Sequence, residues 1–478
     1  MARTVFLGFD AMDSHLVRTW ASEGKLPNLA GVIDSWGSAT TLNPVGLLVG
    51  GLWPSFWSQS GPAHHGSYCW RQVVNGTYTT ALVVPTDLDN KPFWLGLDQQ
   101  GVRCAILDVP LVPPFPLEHG VSVVDWGSHD SQLPLWVSST DAAARLASLG
   151  PYPQRRCDAT VESRGHEQLL ADIVEGVRLR TAMLRMLLEG DAEFVATVFS
   201  ESHCAGHHLY HLHDPEHIRH DAALAARLGE DPLLTAYRRI DDALGELLST
   251  LLPDTAVMVL LSHGIGPHYD GNPMLDEILT RIEHRRQPVP AWVRARESVL
   301  RPVRGVGRRI DRMIRPDRRR LPSLRNLDGS RAWFEVPSND LYGAIRLNLR
   351  GREPRGRMRP GAETDATIAL LTEELLLLRH TESGEPAVTC VLRTDDDHRG
   401  PRRGMLPDLL VEWNWSVPFR SLTSPTIGTV SNPAVPQRTG DHRPHGEVFV
   451  RNLVLPANEQ IPVESLADVL VNDVLARR

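Results

Sequence analysis

Three short runs in this chain are apolar at nearly every position: VFLGF at 5–9, FVATVF at 194–199 and TAVMVLL at 255–261. A strand with one wet face alternates apolar and polar residues, so runs like these predict strands buried on both faces. Helical spacing fills the gaps between them. Leu169, Ile173, Val177, Leu179, Met183 and Leu187 recur through 168–188, and Tyr237, Ile240, Leu244 and Leu248 through 233–252. Strands alternating with such helices predict an α/β fold with a central, mostly parallel sheet and helices on both faces. Further strands are expected at 102–109, 121–126, 344–348 and 409–413, and further helices near 26–32, 368–378 and 463–475.

The 478 residues are read as a single domain, 1–478, with one interruption. The stretch 282–325 is crowded with arginine, Arg301, Arg304, Arg308, Arg309 and Arg312 among them, and broken by Pro288, Pro290, Pro302 and Pro316. It reads as a basic helical insertion or cap, either a solvated surface or a face for an anionic substrate. The net charge of −8 argues against nucleic acid or an anionic membrane as the main partner. No apolar stretch approaches the ~20 residues that span a bilayer. The start runs straight into a strand rather than a signal peptide. Five cysteines without a CxxC pair imply free thiols and a reducing, cytoplasmic setting.

The strand ends hold the chemistry, because open α/β sheets keep their sites at the carboxyl edge. VFLGF runs into Asp10, and TAVMVLL runs into Ser262 and His263. FVATVF leads to ESHCAGHHLYHLH, where His203 and His207 are four apart and share a helix face. Such a pair is half of a transition-metal site, or else part of a polar, His-rich surface helix. Cys204 points about 100° away from His203 on a helix and reads as a bystander. His442 lies in GDHRP at 440–444, which reads as a polar turn.

In order, GFDAMD, WPSFWSQSGPAHHG, FSESHCAGHH, LLSHGIGP, DGSRAW, LNLRGREPRGRMRPG, PDLLVEW and GDHRPHG resemble the alkaline phosphatase superfamily. The branch they are most similar to is the type I phosphodiesterase/nucleotide pyrophosphatase-like hydrolases. The resemblance implies an alkaline phosphatase-like fold and a two-metal, usually zinc, centre. One metal takes the aspartate and histidine of DxxGH and a distant histidine. The other takes the first aspartate and the aspartate and histidine of SDHG, beside a Thr or Ser nucleophile.

Against that pattern, Asp10, His207, His263 and His442 are kept. The nucleophile position falls on Val49, the SDHG aspartate on Ser262 and the DxxGH aspartate on His203. The resemblance therefore implies one zinc ion held by His203, His207 and His442, with a second ion, through Asp10 and His263, left possible. Three neutral imidazoles and an open position lower the pKa of bound water to about 7. The expected activity is hydrolysis of a phosphate or related anionic ester or diester, with metal-bound water replacing the missing hydroxyl and Asp10 or His263 as general base. No separate organic cofactor is expected. Three readings stay open beside it: a lyase or transferase on the same scaffold, an inactive binding protein, and a shifted register with Ser55 or Ser58 as nucleophile.

Overall fold

The computed structural model describes residues 3–129, 133–153, 157–286, 329–338, 341–433, 437–458 and 460–478. From residue 287 onward, the basic insertion expected at 282–325 lies outside the described residues.

Among the described residues the main sheet has nine strands. Their order is Gln460–Pro462, Gly37–Leu42, His445–Arg451, Ala256–Leu261, Thr4–Phe9, Phe194–Phe199, Cys104–Leu107, Val121–Val124 and Trp136–Val137. The five from Ala256–Leu261 to Val121–Val124 run parallel. His445–Arg451 is antiparallel to both its neighbours, and Trp136–Val137 to its one. The three apolar runs lie side by side, with Thr4–Phe9 in the middle.

Successive side chains of a strand point to opposite faces, and here each face has its own core. Val5, Leu7 and Phe9 pack with the helices Ser14–Ser22, Pro27–Ser35, Pro232–Thr250 and the long Cys157–Glu189. Phe6 packs on the other side with Leu48–Ser58, Phe93–Gln99 and Val463–Ala476. Gly8 leaves room for the Trp53 indole, since a Cβ there would sit 2.9 Å from its ring. The strands expected at 344–348 and 409–413 do not join this sheet. With Trp333–Val336 and Val388–Arg393 they build a separate antiparallel sheet, in the order Trp333–Val336, Tyr342–Leu347, Leu409–Trp413, Val388–Arg393. Helices Asn272–Arg286 and Ala362–Leu376 cover it.

The polar turn expected at 440–444 is instead largely a strand. Gly440–Arg443 pairs antiparallel with Gly264–Pro267, Ile265 facing His442. Its polar residues are buried because the ribbon lies over the carboxyl edge of the main sheet, where Asp441 and His442 are 2% and 3% exposed.

One buried ion cluster fixes that edge from below. Arg180, from the long helix, donates to Asp108 (3.2 Å), to Glu201 (3.0 Å) and to the Gly127 carbonyl (2.8 Å). Tyr152 donates to the same Glu201 carboxylate, and Asp108 accepts the Trp126 and Gly127 amides at 2.8 and 2.7 Å. One guanidinium so ties the long helix, the loop after Val121–Val124 and the start of the helix Glu201–His213. Removing one partner of a buried pair leaves uncompensated charge. Arg180→Ala is therefore expected to cost about 3–5 kcal/mol in denaturant unfolding. A loss under about 1 kcal/mol would show that the cluster carries no such weight.

Candidate metal centre

Register sets the site. Phe9 lies opposite Phe199 on one side and Leu261 on the other, so Asp10, Ser200 and Ser262 leave the sheet at one level. The backbone turns sharply there, with Ala11 in the left-handed region at φ 53° and its amide on the Ser262 hydroxyl (3.2 Å). After Ser200 the chain enters the helix Glu201–His213, and after His263 it enters the ribbon strand that pairs with His442.

The helix puts His203 and His207 on one buried face, with ring centroids 4.4 Å apart. The His442 ring stands 5.0 Å from that of His203 and 4.6 Å from that of His207. Nε2 of His442 and Nε2 of His203 are 3.0 Å apart, and one nitrogen of each of the three rings falls within 4.8 Å of the others. His207 Nδ1–H donates to the Gly440 carbonyl at 2.7 Å, which turns Nε2 inward, buried and without a hydrogen bond. That is the outer contact by which a ligating imidazole is oriented. It requires helix and ribbon to touch backbone to backbone: a Cβ on Gly440 would lie 2.1 Å from the Gly206 carbonyl oxygen. Asp441 accepts the His442 amide at 2.8 Å and lies 3.2 Å from His442 Nδ1, so this neighbour in sequence also supports the ring in space.

Burial is the main cause that holds these imidazoles neutral. It lowers the His203 pKa well below 6.5, helped by His129, His207 and His442, and that of His207 likewise, helped by Arg438 and His442. For His442 burial wins over the pull of Asp441 and brings the pKa to about 4. Neutral, convergent imidazoles, with His207 Nε2 buried and without a hydrogen bond, suit a zinc ion.

Asp10 and His263 stand beside this trio, outside the converging set. Asp10 Oδ1 accepts the Trp53 indole N–H (3.0 Å) and the Ser262 hydroxyl (3.2 Å), and His263 Nε2 is 3.4 Å away. Burial alone would raise the Asp10 pKa. His263, Trp53 and His442 outweigh it and lower the pKa. His263 Nδ1–H donates to the Gly264 carbonyl at 3.1 Å, and its ring centroid is 4.7 Å from that of His442. Val49 sits in the first turn of Leu48–Ser58, half-buried against the cluster of Leu47, Leu48 and Tyr68. Ser55 is fully buried and takes a hydrogen bond from His65 Nε2–H at 3.0 Å, because His65 Nδ1 already accepts the Ser67 amide. A serine that accepts from its histidine is not being deprotonated by it. Ser58 pairs with Ser60.

Residues 4–421 match the profile of a family described as type I phosphodiesterase / nucleotide pyrophosphatase. The chain belongs to this family. Its fold is the alkaline phosphatase-like one. Phosphonoacetate hydrolase from Sinorhizobium meliloti 1021, solved with phosphonoformate and with phosphonoacetate, superposes with a TM-score of 0.58 at 13% identity, over 99% of this chain and 96% of that one. Human ectonucleotide pyrophosphatase / phosphodiesterase 5 gives 0.47 at 10% identity, over 99% and 95%. No curated protein matches the sequence. Among the described residues no helix is long and apolar enough to cross a membrane.

The cysteines depart from expectation. Cys157 and Cys204 form a disulfide, so two of the five thiols are not free, and the case for a reducing compartment loses its support. Nor is Cys204 a bystander. The direction it takes away from His203 is filled by Cys157 and by His129, whose Nδ1 lies 2.9 Å from the Cys157 sulfur and 3.0 Å from that of Cys204. The His129 ring stands tilted against that of His203, centroids 4.0 Å apart. His129 and Cys157 carried no signal in the sequence, being 28 residues apart and, for Cys157, 47 residues from the Cys204 it meets.

The depressed histidines make a pH prediction. Unfolded, they titrate near 6.5. Folded, they bind protons only at lower pH, so between about 6.5 and about 4 the unfolded chain holds more protons and stability falls as pH falls. Denaturant midpoints of the metal-free protein should drop between pH about 7 and about 5. His203→Gln should lessen that slope by about one proton. Equal slopes in the two proteins would contradict it.

Proposed function

We propose that this chain is a zinc-dependent hydrolase of a small phosphate or phosphonate ester or diester, with residues 1–478 acting as one catalytic domain. The observation that carries the reading is the convergence of His203, His207 and His442, all neutral and buried, at the carboxyl edge of the sheet. The family match supports phosphoryl chemistry, and phosphonoacetate hydrolase, solved with two small phosphonates, shares the fold. A zinc ion held there supplies Lewis acidity and acidifies water. Val49 offers no hydroxyl, so water is the nucleophile in place of a side chain.

The remaining roles belong to Asp10 and His263. With Nδ1 on the Gly264 carbonyl, His263 turns Nε2 toward Asp10 Oδ1, 3.4 Å away. Asp10 is kept ionised and is held by Trp53 and Ser262. The two act as a pair, one of them serving as the general base. A second metal through Asp10 and His263 finds less support, since Ser262 replaces the aspartate that would complete it.

The chain with its disulfide intact should carry one zinc equivalent. His203→Ala should lose both zinc and turnover. His203→Asp should keep zinc but move the rising limb of the pH–rate profile upward, because an added anion weakens the pull of the ion on water. Full zinc and an unchanged profile in His203→Ala would end the three-histidine reading. Ser55→Ala should stay within a few-fold of wild type, and a loss of about 10³ would revive a serine nucleophile. Val49 also favours a second reading, a binding protein without turnover. It would be supported by a zinc-loaded chain inert toward phosphomonoesters, phosphodiesters and phosphonates alike.

A further inference from the structure

The proposed reaction makes no use of His129, Cys157 and Cys204, yet they lie against its metal centre. One ligand atom from each falls within 4.8 Å of the others. We propose that these three residues form a second metal site, for a soft divalent ion such as zinc, which exists when Cys157 and Cys204 are reduced and is closed by their disulfide.

The donor set is two thiolates and an imidazole, a combination that selects zinc-like ions over magnesium or calcium. Around a tetrahedral zinc ion, nitrogen and sulfur ligands stand roughly 3.5 Å apart. His129 Nδ1 is already 2.9 and 3.0 Å from the two sulfurs, so it needs to move outward by about half an ångström, while the sulfurs, once reduced, must part to roughly 3.8 Å. The three residues come from separate, anchored elements. Cys204 rides on the histidine helix, Cys157 opens the long helix, and His129 follows the loop whose Gly127 carbonyl is held by Arg180. Charge favours double loading. Two thiolates cancel the ion's charge, so filling this site places no net cation beside the three-histidine site.

Opening and closing the site is thiol–disulfide exchange. A small-molecule disulfide accepts two electrons from the two thiolates. Its own S–S bond breaks, the Cys157–Cys204 bond forms, two reagent thiolates leave, and the ion is released. A dithiol reductant runs the exchange backward, restoring both thiolates.

Cobalt(II) and zinc are suitable probes, used on the full chain. After reduction and removal of the reductant, wild type should bind two equivalents of cobalt and show thiolate-to-cobalt charge-transfer absorption. Unreduced wild type should bind one equivalent without that absorption. Cys157→Ser should behave like the unreduced chain under both conditions. His207→Ala, reduced, should keep the absorption and lose the other equivalent, which separates this site from the three-histidine reading. Oxidised glutathione added to the zinc-loaded, reduced wild type should release one equivalent. The proposal is overturned if reduced wild type, with all its thiols titrating, shows no charge-transfer absorption, or if the absorption survives Cys157→Ser. Because wild type is compared with itself in two redox states, a variant that fails to fold does not blunt the test.

Discussion

The centre of this molecule depends on three parallel strands that stop at the same level. Phe9, Phe199 and Leu261 are neighbours across the sheet, so the next residue of each strand opens onto the same edge. Strand register is set by which side chains face which core. A slip of one residue would turn Val5, Leu7 and Phe9 out of the core they share with the helices Ser14–Ser22 and Pro232–Thr250. It would also carry Asp10 away from Trp53 and Ser262. The placement of the polar site is thus inherited from apolar packing beneath it, and the Arg180 cluster transmits it to the histidine helix.

Electrostatics is consistent with the proposed exchange of ligands. In the pattern the chain resembles, two divalent ions face three aspartates, a net charge of plus one. On the proposed reading His203 and Ser262 stand in for two of those aspartates, and a single divalent ion facing Asp10 would again leave plus one. Losing one ion together with two carboxylates would conserve the charge that an anionic substrate, as proposed, would meet. Losing the carboxylates alone would leave two ions too poorly compensated to share so buried a site.

Much of this was legible in the sequence. The apolar runs gave away the buried strands, and the four-residue spacing of His203 and His207 survives intact because local helix geometry decides it. What depends on distant contacts was not legible. GDHRP has the composition of a turn, and only its pairing with Gly264–Pro267 makes it a strand. The strands at Tyr342–Leu347 and Leu409–Trp413 look like those of the main sheet until their antiparallel partners are known. His129 and Cys157 sit in ordinary surroundings along the chain, and nothing periodic links them to Cys204. The disulfide follows the same logic, since five scattered cysteines do not reveal which two will meet.

The contact between Gly206 and Gly440 closes the metal centre with residues from far apart in the chain. His203 and His442 are separated by 239 positions. Contacts of such long range form late, after the loop between them has been ordered. A nascent chain emerging from the ribosome can build the strands through Ala256–Leu261, and with them the Asp10 edge, before His442 has been made. An ion held by all three histidines, as proposed, could therefore be captured in full only after His442 has been made. A chain cut short of His442 would present two of the three histidines without the third, and so only part of the proposed site.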